Sequence, residues 1–336
     1  MTPSERFPGA PAQLPVTTRE HLTSETTRTV LRIQSRLLTA TREFLYGLGF
    51  VELLPPIMGP VTDPGTRGSK QVDVDFYGHR YKLMTSAILY KQASLLAFDK
   101  IFYIAPNVRL EPTETAVTHR HLAEFHQIDV EIGDGKRADA MRVAEDLVSF
   151  VVDSIVRKMP AELELLGRDR DAFAELLRGP FGTMKHADAV ADLLGLGHPQ
   201  NPDAEIDWRG EEILSAKASR PFFVVDYPKG SRGFYDREDE AHPGRLTNFD
   251  LLAPEGYGEL ASGSEREFDY AKLVTRMRET GENPAKYGWY LDLARDGIPA
   301  SAGFGMGVER LTRYVTGRSA VWQASAFPKL PGVRSP

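Results

Sequence analysis

The sequence predicts an α+β fold in which helices flank one mostly antiparallel β-sheet. Segments with strand character follow one another in adjacent pairs, and segments with helical periodicity are grouped between those pairs. A doubly wound α/β fold would instead alternate strand and helix along the chain. No similarity recurs at a fixed period, so the sequence indicates neither a solenoid nor a propeller.

Composition excludes several classes of protein. The 336 residues carry a formal charge of −6 and include no cysteine, which excludes disulfides, thiolate metal sites and cysteine nucleophiles. The acidic balance argues against a broad basic surface for nucleic acid. No apolar run approaches the roughly 20 residues of a membrane helix, and no signal peptide begins the chain. The sequence therefore predicts a cytoplasmic enzyme with no membrane partner.

The first elements are an arm, a long helix and a short strand. Residues 1–20 are rich in proline and small side chains, and we expect them to form a flexible arm. Over residues 20–48, apolar side chains recur at three- and four-residue steps, which predicts an amphipathic helix that Gly49 ends. These apolar side chains are Val30, Ile33, Leu37, Phe44 and Leu48. "FVELLPP" is predicted as a strand that two prolines stop, because proline cannot donate to a sheet.

The remaining elements follow from the same patterns. A helix is predicted over "SAILYKQASLLAF", strands over "KIFYIAPNVRLE" and "LAEFHQIDVEI", and a helix over "KRADAMRVAEDLVSFVVDSIVRKM". Residues 160–220 contain helix-like pieces but no motif. Further strands are predicted over "PFFVVDYP", "TNFDLLAP" and "YGELASGSER". A helix over "FDYAKLVTRMRETG" precedes the last strand and helix in "SAGFGMGVERLTRYVTG".

Residues 107–133 gather polar side chains on one face of two strands. Alternate strand residues share a face, so Arg109 lies with Glu111, and Phe125 lies with Gln127 and Asp129. A guanidinium on a strand suits a phosphate, and a neighbouring phenylalanine could stack on a base. The alternative is a solvated hairpin with a charged tip. A zinc site at the two nearby histidines, positions 121 and 126, is less favoured because they fall on opposite faces.

The segment "GFGMGVER", residues 303–310, has glycine at every second position, which clears one face of a strand for close approach of another group. Arg310 then falls where a helix begins. The spacing is not that of the dinucleotide fingerprint, and no Gly-Lys-Ser/Thr phosphate loop occurs. A packing role for the glycines is the alternative.

Oxygen-bearing side chains are concentrated in residues 248–268, "NFDLLAPEGYGELASGSEREF". Asp250, Glu259 and Ser262 offer hard ligands for Mg²⁺, which prefers one or two carboxylates together with substrate phosphates. Arg266 adds a further guanidinium. Acidic residues spread out in this way are often only solvated surface, so the metal site depends on the combination.

Three of these segments resemble the signature motifs of class II aminoacyl-tRNA synthetases. "GFVELLPP" resembles motif 1, "NVRLE" with "HRHLAEF" resembles motif 2, and "GFGMGVERL" resembles motif 3, in the same order. The resemblance covers residues 27–331 and is greatest for the aspartyl and asparaginyl subgroup, through "RHLAEF", "ELASGSERE" and "GVERL". "FYDRE", "GYGE" and "FPKLPG" look most like archaeal-type asparagine synthetases, which are free-standing relatives of the aspartyl catalytic core.

The resemblance implies a class II synthetase-like catalytic domain over residues 21–336 with no anticodon-binding domain. It implies that ATP and Mg²⁺ are the cofactors and that Arg109, Arg266 and Arg310 are catalytic. The implied ATP-binding residues are Arg109, Glu111, Arg120, His121, Phe125, Glu259 and Arg310. In this likeness Arg109 meets the α-phosphate, Phe125 stacks on adenine and Arg310 meets the γ-phosphate. Asp250, Glu259 and Ser262 correspond to magnesium ligands.

The amino-acid site departs from the aspartyl pattern. The implied substrate-binding residues are Thr85, Ser86, Lys91, Tyr235, Arg237, Ser262 and Arg266. Aspartyl synthetases carry Gln-Ser-Pro-Gln where this chain has "TSAILYKQ", with Thr85 and Ile88 at the two glutamine positions. We therefore expect the amino acid to lie differently in this chain.

The resemblance implies an ammonia-dependent asparagine synthetase. ATP and L-aspartate would form a β-aspartyl-adenylate and pyrophosphate, and ammonia would displace AMP. Three alternatives stay open: an adenylate-forming amide ligase for another acid or amine, a truncated aspartyl or asparaginyl-tRNA synthetase paralogue, and an inactive module that keeps the fold. No tRNA partner is expected, and the family implies a homodimer through residues 27–56.

Overall fold

The structure, a computed structural model, describes residues 14, 16–64 and 68–335. Most of the expected flexible arm, residues 1–13 and 15, lies outside the described residues. Helix α1 (Thr18–Thr23) begins inside the rest of the arm and is capped by Thr17, whose hydroxyl accepts from the backbone N–H of Glu20. The first helix therefore starts before the predicted domain boundary at residue 21.

Eleven strands form two sheets in the described part of the chain. The strands are β1 (Val51–Glu52), β2 (Met58–Gly59), β3 (Asp73–Phe76), β4 (His79–Leu83), β5 (Lys100–Val108), β6 (Glu124–Gly133), β7 (Gly182–Lys185), β8 (Phe222–Val225), β9 (Asn248–Ala253), β10 (Gly258–Arg266) and β11 (Ser301–Gly307). The main sheet has the order β1-β5-β6-β11-β10-β9-β8-β7, and the small sheet has the order β2-β4-β3. The main sheet is antiparallel except at its two ends, where β1–β5 and β7–β8 run parallel. The predicted α+β fold is confirmed.

Ten further α-helices surround the sheets in the described part. They are α2 (Glu25–Gly47), α3 (Ile88–Ser94), α4 (Arg137–Lys158), α5 (Pro160–Leu165), α6 (Ala174–Leu177), α7 (His186–Gly195), α8 (Trp208–Ala216), α9 (Tyr270–Glu279), α10 (Gly288–Asp296) and α11 (Val308–Thr316). The segment 160–220, in which the sequence indicated no motif, thus contributes four helices and the edge strand β7.

The core lies between the main sheet and helices α2, α4 and α11. The predicted apolar positions Val30, Ile33 and Leu37 of α2 are fully buried there, because their three- and four-residue spacing places them on one face. Leu48 is 42% exposed and lies one residue beyond the helix. The predicted helix therefore extended too far at its C-terminal end.

Alternation along β6 separates the core from a cavity. Ile128 and Val130 are buried against the helices, whereas Phe125, Gln127 and Asp129 line a cavity on the other face. This is the division that a two-residue period requires. Strand β5 ends before Arg109, so the expected strand over this arginine and the residues after it is too long.

Residues 27–56, which carry the predicted dimer interface, expose large apolar side chains. Tyr46 is 53% exposed and Leu54 is 95% exposed. The homodimer itself stays a prediction, as does the cytoplasmic location. None of the helices among the described residues is long and apolar enough to cross a membrane.

Candidate active site

A cavity of about 630 Å³ lies over the central strands β6, β10 and β11, on the side away from helices α2 and α4. The loop around residues 203–208 and the loop around residues 230–236 form its walls. Guanidinium groups and carboxylates line it together with aromatic side chains, which include Phe125, Trp208 and Tyr235. The cavity therefore joins a charged floor to an apolar surface.

Two glycines of β11 give the neighbouring strand room to place its polar side chains. A Cβ atom at Gly303 would lie 2.2 Å from the Oε2 atom of Glu131, and one at Gly305 would lie 2.7 Å from the Nε2 atom of Gln127. Real Cβ atoms do not approach other atoms so closely. The alternating glycines therefore serve close packing between β6 and β11, which is the alternative that the sequence left open.

One end of the cavity presents two guanidinium groups. The Cζ atom of Arg109 lies 5.0 Å from the centre of the Phe125 ring, and its Nε atom donates to the carbonyl of Thr85 at 2.9 Å. Arg310, in the first turn of α11, lies with Nη1 3.2 Å from the Oε1 atom of Glu259. Both arginines line the cavity, and guanidinium groups suit oxyanions.

Arg120 is held differently. Its guanidinium is buried, forms an ion pair with Glu211 and donates from Nη1 to the carbonyl of Trp208 at 2.9 Å. A buried charge requires such a partner. Arg120 therefore ties the loop before β6 to helix α8. His121 lines the cavity and its Nδ1 atom lies 2.6 Å from the hydroxyl of Thr118.

One group of three carboxylates in the described part of the chain could hold a metal ion. Oxygens of Glu211, Asp250 and Glu259 all lie within 4.8 Å of one another. Carboxylate oxygens are ligands that Mg²⁺ prefers, so the donor set fits this ion. Ser262 lies opposite Asp250 in the pairing of β10 with β9, and its hydroxyl accepts from Arg232 at 2.8 Å.

The other end of the cavity is a buried network of ion pairs. Lys91 donates to Asp129 at 2.9 Å and lies 3.6 Å from Glu131. Arg266 donates from Nε and Nη2 to the two oxygens of Glu131, at 3.0 and 3.2 Å. Arg266 also lies 3.4 Å from Asp236. Buried cations are tolerated here because each has a carboxylate partner.

Two further acids complete that end. The hydroxyl of Tyr235 donates to the Oδ1 atom of Asp63 at 2.9 Å, and burial raises the pKa of this tyrosine well above its ordinary value. Burial also raises the pKa of Asp236, although Arg266 opposes the shift. The Ser264 hydroxyl donates to Asp236. This end of the cavity therefore presents several oxygen acceptors beside two cations.

Comparison with known proteins identifies the family. Residues 18–331 match the family of tRNA synthetases class II (D, K and N). The chain belongs to this family. Its charged cavity lies over the antiparallel sheet of this class II tRNA synthetase core, and the protein is an enzyme of the ligase type.

The most similar relatives include several asparagine–tRNA ligases. That of Pyrococcus abyssi is 34% identical over 317 residues, which are 93% of this chain and 70% of the relative. One from Thermus thermophilus is 35% identical over 90% of this chain and 69% of the relative. Among solved structures, the asparaginyl-tRNA synthetase of Pyrococcus horikoshii complexed with asparaginyl-adenylate superposes with a TM-score of 0.89 at 32% identity, covering 95% of this chain and 72% of the other.

These comparisons overturn the expected reaction. The synthetase was expected to be a free-standing, ammonia-dependent asparagine synthetase, but its relatives at 30–35% identity are asparagine–tRNA ligases. The expectation that no tRNA is a partner is wrong for the same reason. The motifs misled because class II members share the adenylating core, so residues of that core do not distinguish the second substrate.

The structure brings most of the expected site residues of this synthetase to the cavity. Those that line it are Ser86, Lys91, Arg109, Glu111, Arg120, His121, Phe125, Tyr235, Glu259, Ser262, Arg266 and Arg310. Arg120 lines it but is turned into its ion pair with Glu211, not toward open space. The roles expected of these residues stay predictions.

Three expected site residues lie elsewhere. Thr85 is fully buried, and its hydroxyl donates to the carbonyl of Asp63. Arg237 lies outside the cavity, where its guanidinium packs 5.3 Å from the ring centre of Phe268. Asp250 is beneath the cavity lining, paired with Arg232. Thr85 and Arg237 therefore contact the surroundings of the site and not its interior.

Sequence reasoning missed several residues that the fold brings in. Glu211 comes from the segment 160–220, in which no motif was found, and Asp63 and Arg232 lie in loops. Asp236 lies within "FYDRE" but was not assigned a role. No spacing in the sequence relates them to the strands of the site. Asp129 was placed on the correct face but was not assigned a role.

Proposed function

We propose that this synthetase attaches asparagine to tRNA through an asparaginyl-adenylate. The observation that carries the proposal is the 34% identity to an asparagine–tRNA ligase over 93% of the chain. The cavity supports it because guanidinium groups, carboxylates and a buried polar network meet over one sheet. Adenylation needs such positioning and electrostatic stabilisation more than it needs a protein nucleophile.

The arginine-lined end of the cavity is proposed to bind ATP. Phe125 offers a face for the adenine ring. Arg109, whose guanidinium packs on the phenylalanine ring, would hold oxygens of the α-phosphate. Arg310 would hold the terminal phosphate. As the carboxylate oxygen of the amino acid bonds to the α-phosphorus, the bond to pyrophosphate breaks, and the two guanidinium groups balance the negative charge.

Mg²⁺ is proposed to be held by Glu259 and Asp250 with Glu211 close by. When bound, the ion neutralises phosphate oxygens and orients the leaving pyrophosphate. The carboxylates supply the oxygen ligands, and the backbone N–H of Glu259, which donates to Glu211 at 3.2 Å, keeps two of them together.

The buried network is proposed to bind the amino acid. Asp63, Asp129 and Asp236 provide acceptors for an α-ammonium group, and Lys91 and Arg266 provide donors for a side-chain carbonyl oxygen. In the second step a ribose hydroxyl at the end of the tRNA would bond to the carbonyl carbon of the adenylate, and AMP would leave. The acceptor end of the tRNA must then reach the same cavity.

Two assays test this function. ATP–pyrophosphate exchange is measured with asparagine or with aspartate, and transfer of labelled asparagine is measured with total tRNA. We expect asparagine-dependent exchange and labelled tRNA. Exchange with aspartate alone would contradict asparagine as the amino acid that is activated. Exchange with asparagine but without labelled tRNA would contradict the transfer step and favour a different amine or alcohol acceptor.

A further inference from the structure

Each carboxylate of the candidate metal group is paired with its own arginine. The pairs are Glu211 with Arg120, Asp250 with Arg232, and Glu259 with Arg310. A carboxylate engaged by a guanidinium is less available to a metal ion, because the two cations repel and compete for the same oxygens. The group is therefore occupied by resident cations.

Arg232 is the arginine of this set that contacts two of the expected metal ligands. Its Nη2 atom lies 2.5 Å from the Oδ2 atom of Asp250, and its Nη1 atom donates to the hydroxyl of Ser262 at 2.8 Å. Its Nε atom lies 2.8 Å from a carboxylate oxygen of Glu205. The guanidinium thus stands between a carboxylate and a hydroxyl that could otherwise face one ion.

Packing holds this guanidinium in place. The side chain of Arg232 is 9% exposed, and its Cζ atom lies 4.4 Å from the centre of the Tyr227 ring. Asp250 is 1% exposed. Separating two such buried charges without a replacement is strongly unfavourable. Arg232 therefore releases Asp250 only when new charges enter the site.

We infer that Arg232 is a positioning residue of the metal site: it occupies Asp250 in the nucleotide-free enzyme and makes metal binding there depend on ATP. A metal ion alone would bring positive charge beside Arg232 with no new anion. Mg²⁺ together with a triphosphate brings both a cation for Asp250 and oxyanions for the guanidinium. The inference rests on the proposed function only for the use of ATP.

The test is a titration with Mn²⁺, in which electron paramagnetic resonance measures the free ion with and without an ATP analogue that has a methylene bridge between the α- and β-phosphorus. Without nucleotide, Arg232→Met is expected to bind Mn²⁺ about tenfold or more tightly than the wild type, because Asp250 loses its competing cation. The enhancement by the analogue should shrink in the same variant. Equal Mn²⁺ affinity of the variant and the wild type without nucleotide would overturn the inference.

Two variants serve as controls. Arg232→Lys keeps a cation near Asp250 and is expected to bind Mn²⁺ as the wild type does. Arg168→Met removes another arginine with low exposure. Arg168 pairs with Glu255 and packs over Phe173, and it does not contact the three carboxylates of the candidate metal group. This variant should leave Mn²⁺ affinity unchanged, and a gain as large as that of the Arg232→Met variant would overturn the local explanation.

A second measurement covers the case in which Arg232→Met does not fold. Asp250→Asn removes the carboxylate and leaves Arg232 its partner Glu205. If Arg232 already blocks Asp250, this variant binds Mn²⁺ normally without nucleotide and about tenfold or more weakly with the analogue. Equal weakening in both conditions would overturn the inference. Neither titration contains asparagine or tRNA, so failure of the charging assay is a separate result.

Discussion

At the scale of single residues, Arg109 and Arg237 make similar packing contacts but differ in their position relative to the candidate active site. Each places its guanidinium beside a phenylalanine ring, at 5.0 Å from Phe125 and 5.3 Å from Phe268. Only Arg109 lines the cavity. A stacked arginine at an exposed site contributes about 0.5–1 kcal/mol, so the two residues make similar local contacts and differ in what they can reach.

Arg109→Ala is therefore expected to lower the rate of ATP–pyrophosphate exchange by about a hundredfold or more, as does removal of one donor that stabilises a transition state. Arg237→Ala loses a comparable ring contact and is the matched control, with exchange near that of the wild type. Circular dichroism establishes that both variants fold. Exchange that falls equally in both variants would contradict the role of Arg109.

Gly303 gives a second prediction at this scale. A Cβ atom there would lie 2.2 Å from both the Oε2 atom of Glu131 and the backbone carbonyl oxygen of Val130. Because a backbone atom cannot move aside cheaply, Gly303→Ala should lower the free energy of unfolding by about 1–3 kcal/mol. Gly288→Ala, at the start of helix α10 with no heavy atom within 4 Å of the added Cβ, is the control. Urea denaturation measures both, and an unchanged midpoint for Gly303→Ala would contradict the clash.

At the scale of elements, His126 of strand β6 is hydrogen-bonded to the first turn of helix α11. The backbone N–H of His126 donates to Glu309 at 3.0 Å, and the Nδ1 atom of its ring lies 3.0 Å from the other oxygen of that carboxylate. The hydrogen bond with Glu309 raises the pKa of His126 above its ordinary value, against the opposing effect of burial. The contact fixes the start of α11, and hence Arg310, relative to the sheet.

The raised pKa predicts a pH-dependent contribution to stability. A histidine whose pKa is higher in the folded state stabilises the fold fully below its unfolded pKa, near 6.5, and this contribution is lost as the pH rises through the folded pKa. His126→Gln should therefore cost more free energy of unfolding at mildly acidic than at alkaline pH. Urea midpoints at both pH values measure it, with His79→Gln, at an exposed position on β4, as control. An equal cost at both pH values would contradict the ion pair.

At the scale of the whole molecule, local periodicity was readable from the sequence and distant pairing was not. Helix α2 and the two faces of β6 were predictable because spacing along the chain fixes which side chains share a face. The pair of Arg120 with Glu211 joins residues 91 positions apart, and no local pattern encodes it. Arg237 was assigned to the site through its neighbours in a motif, but its side chain turns toward Phe268.

The shared adenylating core also explains why the fold was predictable while the second substrate was not. Arg109, Phe125 and Arg310, which are proposed to bind ATP, lie within the sequence motifs. In the proposed reaction, the acceptor of the activated amino acid approaches from outside the cavity, over loops that have no periodic pattern. Comparison with whole relatives supplied that information, because 93% of the chain aligns with tRNA ligases.

Occupation of both ends of the cavity should stabilise the whole molecule. A non-hydrolysable asparaginyl-adenylate analogue would contact β6, β10, β11 and the surrounding loops at once, and a ligand that binds only the folded state adds about 2.7 kcal/mol at a hundred times its dissociation constant. We expect a higher thermal midpoint with this analogue than with its aspartyl counterpart at equal concentration. Arg109→Ala should lose most of the gain and Arg237→Ala should keep it. A larger shift with the aspartyl analogue would contradict asparagine as the substrate, and a gain that Arg109→Ala retains would show that the ligand binds elsewhere.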